Sequence, residues 1–137
     1  MDEREGSMPV RKSARHYYGD TVRVLFVLGA VTLFVAESTG ADLPLSITGA
    51  VTAAVILVIA AGITNPEQHW IHYVNELIAI LGTLIFASRA IEYWRQGMSA
   101  LDVSYLFTEV LALFSIIALY FTTKTVRGVL LRPRLKD

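Results

Sequence analysis

The sequence predicts an all-α, polytopic integral membrane protein whose four transmembrane helices form an antiparallel bundle. Hydrophobic residues make up 54% of the 137 residues and charged residues only 18%, a balance that is unusual for a soluble domain. The apolar residues lie in four blocks, each about long enough to cross a hydrocarbon core of ~30 Å at ~1.5 Å per residue.

Residues 1–20 are polar, mixed in charge and interrupted by glycine and proline, which predicts a flexible cytoplasmic tail. The transmembrane domain then covers residues 21–123, and its first helix is expected over residues 21–39. Arg23 and Glu37 share one face of this helix, near its two ends. Each charged group can therefore extend toward an interface.

The second helix is expected over residues 45–63 and carries no charge. Pro44 suits the first position of this helix, because proline needs no amide partner there. The small residues Gly49, Ala53 and Ala60 share a face, and small faces let membrane helices approach closely. This pattern favours a position at the centre of the bundle or at an oligomer contact.

The third helix, expected over residues 66–91, is the segment around which the chain is organised. Asn65 is a suitable N-cap, followed by a proline at the first helical position. His69, His72 and Glu76 follow at i, i+3 and i+7, within about 60° of one another on a helix. Glu76 lies ~9 Å beyond Trp70 along the axis. A carboxylate is therefore expected below the lipid headgroups.

The fourth helix is expected over residues 103–123, after a polar and aromatic segment in which Gly97 stops the third helix. Tyr105 and Glu109 lie on its more polar face. This face should contact protein or a water-filled cavity, because a carboxylate facing lipid costs ~2.5 kcal/mol or more. Residues 124–137 form a basic tail. Lysine and arginine cluster near both ends of the chain, which predicts a plasma-membrane protein with both termini cytoplasmic.

This topology predicts two polar clusters. Glu76 lies near the inner surface and Glu109 near the outer one, ~12 Å apart along the membrane normal in a core of ~30 Å. The candidate residues for an intramembrane polar site or ion path are His69, His72, Glu76, Glu109, Glu37 and Arg89. An intramembrane ion needs a partner, so Arg89 is expected to pair with Glu109 or Glu37.

Three interpretations of these residues are open. His69, His72 and Glu76 are of the types that bind zinc or another divalent metal, although their spacing matches no established motif. In the second interpretation, His72 and Glu76 exchange protons along a route through the bundle. In the third interpretation, Glu76 and Glu109 form hydrogen bonds between helices and fix the packing. No cofactor is expected, and a chain without cysteine has neither disulfides nor thiolate ligands.

The sequence contains no catalytic motif and no glycine-rich phosphate loop, so the protein is not expected to be an enzyme. The favoured function is a structural, accessory or oligomer-forming membrane subunit whose buried carboxylates fix helix packing. The alternative is a small oligomeric ion or proton channel or transporter that uses Glu76 and the neighbouring histidines. Expected partners are the lipid bilayer and either further copies of the chain or another membrane subunit. Nucleic acid is not expected, because nearby acids offset the cations of the N-terminal tail.

Overall fold

The structure is a computed structural model that describes residues 18–65 and 67–136, and these residues form four α-helices. They are α1 (Gly19–Ser38), α2 (Ile47–Ile63), α3 (Trp70–Arg95) and α4 (Val103–Lys136). Helices α1 and α3, and α4 as far as Leu130, are long and apolar enough to cross a membrane. Helix α2 is apolar but has only 17 residues. The predicted all-helical chain with four apolar helices is therefore confirmed.

Helix α3 begins at Trp70 rather than at residue 66. The side-chain oxygen of Asn65 accepts hydrogen bonds from the amides of Glu67 (2.8 Å) and Gln68 (3.0 Å), which folds these residues into a turn. Residue 66, predicted to open the helix, lies outside the described residues, as does the predicted N-terminal tail up to residue 17. The turn leaves His69 at the N-cap position, ahead of the first helical residue.

Helices α2 and α4 also differ from their predicted bounds. The Ser46 hydroxyl accepts a hydrogen bond of 3.0 Å from the Gly49 amide and caps α2, so the helix begins at Ile47 and Pro44 lies in the preceding turn. Helix α4 continues to Lys136, through most of the segment predicted to be a tail. Leucine, arginine and lysine, which are good helix formers, dominate that segment.

Helices α1 and α3 end in the same way, at a glycine with a left-handed backbone. Gly40 has φ +78° and Gly97 has φ +75°. The Gly97 amide donates to the Trp94 carbonyl (3.0 Å), and the Met98 amide donates to the Tyr93 carbonyl (3.1 Å). These two bonds satisfy carbonyls that the end of a helix leaves unpaired. The predicted helix stop at Gly97 is confirmed.

Replacing Gly97 by alanine is expected to lower the free energy of unfolding by about 1–2 kcal/mol, because a Cβ atom is strained in the left-handed region. Asparagine tolerates this region better, so Gly97→Asn should lose less. Thermal unfolding in detergent micelles, followed by circular dichroism, measures both variants. Equal melting of Gly97→Ala and wild type would show that the end of α3 does not need this backbone conformation.

The helices pack in an order that differs from their order in the sequence. Helix α1 packs against both α2 and α4, and α4 packs most extensively against α3, whereas α2 and α3 contact each other little. The core has two apolar clusters, one around Phe26 and Ala118 and one around Leu33 and Leu111. Helix α2 lies at the edge of this arrangement, and its buried residues are all alanines. The predicted central position of α2 is therefore not found.

Candidate functional site

Polar side chains meet in two groups, one at each end of the helices. The first group is largely buried, whereas Tyr93 is the only buried residue of the second. The first, here called the Asn75 group, lies where α2 ends and α3 begins, and its members are Thr64, His72, Asn75 and Glu76. The second, the Tyr93 group, lies where α1 and α3 end and α4 begins, and its members are Asp42, Arg89, Tyr93 and Ser104. Mainly apolar side chains fill the space between the two groups.

The centre of the Asn75 group is a hydrogen bond between consecutive helices. The Asn75 side-chain amide, on a residue that is 1% exposed, donates to the Thr64 hydroxyl at 2.8 Å. That hydroxyl donates in turn to the Ala60 carbonyl at 2.6 Å. The pair connects the end of α2 to the first turns of α3. Asn75 was not among the predicted site residues, although a buried amide in an apolar helix is a recognisable signal for such a contact.

The predicted histidines and carboxylate of this region have different environments. His72 is buried and forms a hydrogen bond with the backbone of Asn65, which places it against the turn between α2 and α3. Glu76 is partly buried, and its Oε1 atom is enclosed without a hydrogen-bond partner among the described residues. His69 is exposed. The single helical face that was predicted for these three residues therefore lacks His69.

A metal set is not assembled in the described part of the chain. Within residues 18–65 and 67–136, no three histidine, cysteine, aspartate or glutamate side chains converge closely enough to hold a metal ion. The metal site at His69, His72 and Glu76 stays a prediction of the sequence.

Helix α4 contributes buried hydroxyl groups that the sequence interpretation did not use. Thr122 and Thr125 are buried. The Thr125 hydroxyl accepts a hydrogen bond of 3.1 Å from the Tyr18 amide, and this bond connects the start of α1 to α4. The sequence signal for Thr122 is a spacing of seven residues, because Thr108, Ser115 and Thr122 recur on one face of the helix. Ser115 on this face lies against Gly82 of α3.

The Tyr93 group joins three segments of the chain. The Tyr93 hydroxyl donates to the Asp42 carbonyl at 2.8 Å, and the Asp42 amide donates to the Ser104 hydroxyl at 2.8 Å. The Tyr93 ring also lies against Tyr105, with centroids 5.6 Å apart. The end of α3, the turn after α1 and the first turn of α4 are therefore held together at this point.

The predicted ion pair of Arg89 with Glu109 or Glu37 does not form. Among the described residues, the only carboxylate and basic group within 4.0 Å are those of Asp20 and Arg23, 3.7 Å apart. The Arg89 guanidinium lies 5.7 Å from the centroid of the Tyr93 ring instead. Arg89 faces a recess beside the start of α2, whereas Glu37 faces a groove between α1 and α2. The two charges are thus on different faces of the molecule.

A cavity of about 230 Å³ lies in the gap between α2 and α3. All four helices contribute to its walls, and Ser115 is its only polar side chain among the described residues. Ile85 lines both this cavity and the recess at Arg89. The two spaces are therefore adjacent along α3.

Together these features hold helices to one another at both ends and leave an apolar cavity at one side. The described groups offer hydrogen bonds and apolar contacts. Comparison with known proteins finds no family model, no curated protein and no solved structure that matches this chain.

Proposed function

We propose that the protein is a non-enzymatic structural or accessory subunit of a membrane, in which buried polar groups fix the packing of the helices. The observation that carries the proposal is the location of these groups. The Asn75–Thr64 and Tyr93–Asp42 hydrogen bonds each join separate helical segments, one at each end of the molecule. In an apolar surrounding, hydrogen bonds between helices are a main source of specific association.

Membrane insertion is supported by the surface as well as by the helix lengths. Large apolar side chains such as Val24, Phe34 and Ile47 are exposed, and an apolar surface of this kind is typical of a protein that contacts lipid or a partner. We infer that the four helices form an antiparallel bundle in the plasma membrane, with both basic ends cytoplasmic. In support, α1 contacts α4 near Thr125 at its start and near Ser104 just after its end.

The edge position of α2 favours assembly with a further membrane protein or a second copy. Most residues of α2 are exposed or partly exposed, and almost all are apolar. The groove between α1 and α2 is lined in part by small residues, such as Ala54, which lies next to Val51. Small residues on a membrane helix let a second helix approach closely.

Conduction is the second candidate function, and one observation favours it. Enclosed oxygens without hydrogen-bond partners among the described residues occur along α3, at Asn75, Glu76 and Thr83. However, Glu76 and Thr83 are separated by ~10 Å along the helix at ~1.5 Å per residue, whereas a hydrogen bond spans ~3 Å. Farther along the bundle from these oxygens, the core is filled by the apolar residues Leu33, Phe86 and Leu111. This spacing favours the structural role within one copy of the chain.

The test is proton flux into liposomes that contain purified protein and an enclosed pH-sensitive dye, under imposed K⁺ and H⁺ gradients. We expect wild-type and Glu76→Gln vesicles to be as tight as empty vesicles, because no continuous polar route crosses the described core. A protonophore added at the end verifies the gradient, and protease digestion verifies insertion. Wild-type flux that disappears in Glu76→Gln would replace the structural proposal by a channel with Glu76 on its path.

A further inference from the structure

The gap between α2 and α3 has a chemical character that changes along its length. Its larger part is the cavity of about 230 Å³. The side chains around it are almost all aliphatic or aromatic, including Phe26 on α1, Leu57 on α2, Leu81 on α3 and Phe114 on α4. For comparison, an engineered apolar cavity of ~150 Å³ accommodates benzene. The space therefore suits a flexible hydrocarbon.

The other part of the gap is polar. Near the start of α2 a recess is lined by Pro44, Ile85, Ser88, Arg89, Glu92 and Gln96. Arg89 and Glu92 lie one helical turn apart, and neither is in an ion pair within 4.0 Å among the described residues. Arg89 is only partly buried, and Glu92 is exposed. The recess thus presents one cation and one carboxylate next to an apolar cavity.

We propose that this composite site binds one phospholipid with a zwitterionic, primary-amine head group, which it takes from the surrounding bilayer. The phosphate lies at Arg89, the ammonium lies at Glu92 and part of one acyl chain occupies the cavity between α2 and α3. The inference rests on the proposed membrane location, because the gap opens between two helices that would face the hydrocarbon.

Charge complementarity selects this class of lipid. A guanidinium binds phosphate oxygens with two parallel hydrogen bonds, and a carboxylate accepts charge-assisted hydrogen bonds from an ammonium group. An anionic phospholipid without an amine satisfies Arg89 but leaves Glu92 unmatched, and a free phosphate leaves the cavity unused. Ser88 and Gln96 add hydrogen-bonding groups to the same recess. An acyl chain in the cavity gains dispersion contacts with all four helices.

The experiment measures lipid binding to delipidated full-length protein by native mass spectrometry, with phosphatidylethanolamine and phosphatidylglycerol of identical acyl chains. Wild type is expected to prefer phosphatidylethanolamine by about tenfold, equivalent to ~1.4 kcal/mol. Arg89→Gln should weaken binding of both lipids by about tenfold or more. Glu92→Gln should abolish the preference while it preserves binding of phosphatidylglycerol.

The cavity is tested separately. Ala53 lines the cavity, so Ala53→Phe should fill it and reduce binding of both lipids. Ile59→Phe is the matched control, because Ile59 lies on the same helix and is 55% exposed. It lines neither the cavity nor the recess at Arg89. Equal affinity of wild type for the two lipids, or unchanged binding by a folded Ala53→Phe variant, would overturn the inference. If Ala53→Phe does not fold, the Arg89 and Glu92 variants decide the outcome.

Extraction of cell membranes with alkaline carbonate separates this inference from the proposed function. Wild type that is released into the soluble fraction would contradict the membrane location itself. Wild type that stays in the membrane but shows no lipid preference would contradict the lipid site alone.

Discussion

Replacing Gly82 by leucine is expected to disturb the contact between α3 and α4 and to cost ~1–3 kcal/mol of stability, the range typical of overpacked cores. A Cβ atom at Gly82 would lie 2.6 Å from the Ser115 Oγ and 3.3 Å from the Ser115 Cβ. Carbon atoms in contact are normally ~3.5–4.0 Å apart. Helices α3 and α4 share the most extensive contact in the molecule, so the disturbance affects the whole core.

Thermal unfolding in micelles measures this effect, and the chain supplies its own control. A Cβ atom at Gly62 on α2 would meet no atom within 4 Å, so Gly62→Leu should melt close to wild type. The smaller change Gly82→Ala should destabilise the protein, and Ser115→Gly in the same chain should restore part of the loss, because it removes both contacting atoms. A Gly82→Leu variant as stable as wild type would refute the close approach of α3 and α4.

Replacing Tyr93 by alanine is expected to cost about 3–5 kcal/mol, the range for removal of a buried aromatic side chain. Tyr93 is 4% exposed, and its loss removes the ring contact with Tyr105 and the position of Arg89 over the ring. Tyr93→Phe keeps the ring and removes only the hydrogen bonds of the hydroxyl to the Asp42 carbonyl (2.8 Å) and to the Asp42 side chain (3.4 Å). Its cost should be about 1 kcal/mol.

The local consequence of both Tyr93 variants should appear in the turn between α1 and α2. Hydrogen exchange of the Asp42 amide, which donates to Ser104, should accelerate in Tyr93→Phe and much more in Tyr93→Ala. Trp94→Ala is the control, because the neighbouring Trp94 is 71% exposed. Exchange at Asp42 that is the same in all variants would mean that the Tyr93 group does not hold the three segments together.

The proposed function connects these two predictions. Gly82 sets the distance between the two most closely packed helices, and the Tyr93 group fixes the end of the same pair relative to α1. Helix α2 is attached mainly through α1 and through the Asn75–Thr64 hydrogen bond. Helix α2 packs extensively against α1 and little against α3, so one side of α2 is left open beside the cavity, in line with the proposal that this side meets lipid or a partner helix.

The sequence by itself determined the number and type of the helices. Apolar blocks of ~20 residues predict helices that cross a membrane because the backbone must satisfy its own hydrogen bonds in hydrocarbon. The predicted first helix over residues 21–39 corresponds closely to α1 (Gly19–Ser38), and Gly97 ends α3 as expected. These features are local, since they depend on a few neighbouring residues. The late start of α3 depends on a side-chain turn at Asn65, which competes with the helix.

The tertiary structure alone decided which helices meet and which polar residues pair. Helix α2 is apolar all round, so its sequence does not indicate which face, if any, is buried; in a membrane, lipid and protein solvate such a helix almost equally. Small differences in shape, such as the contact between Gly82 and Ser115, then select the neighbours. The partners of Asn75, Tyr93 and Arg89 follow from that selection. A pattern along one helix carries no information about the helix opposite. For this reason the sequence predicted Glu76 and Arg89 as polar residues of the bundle, but it did not predict the Asn75 and Tyr93 hydrogen bonds.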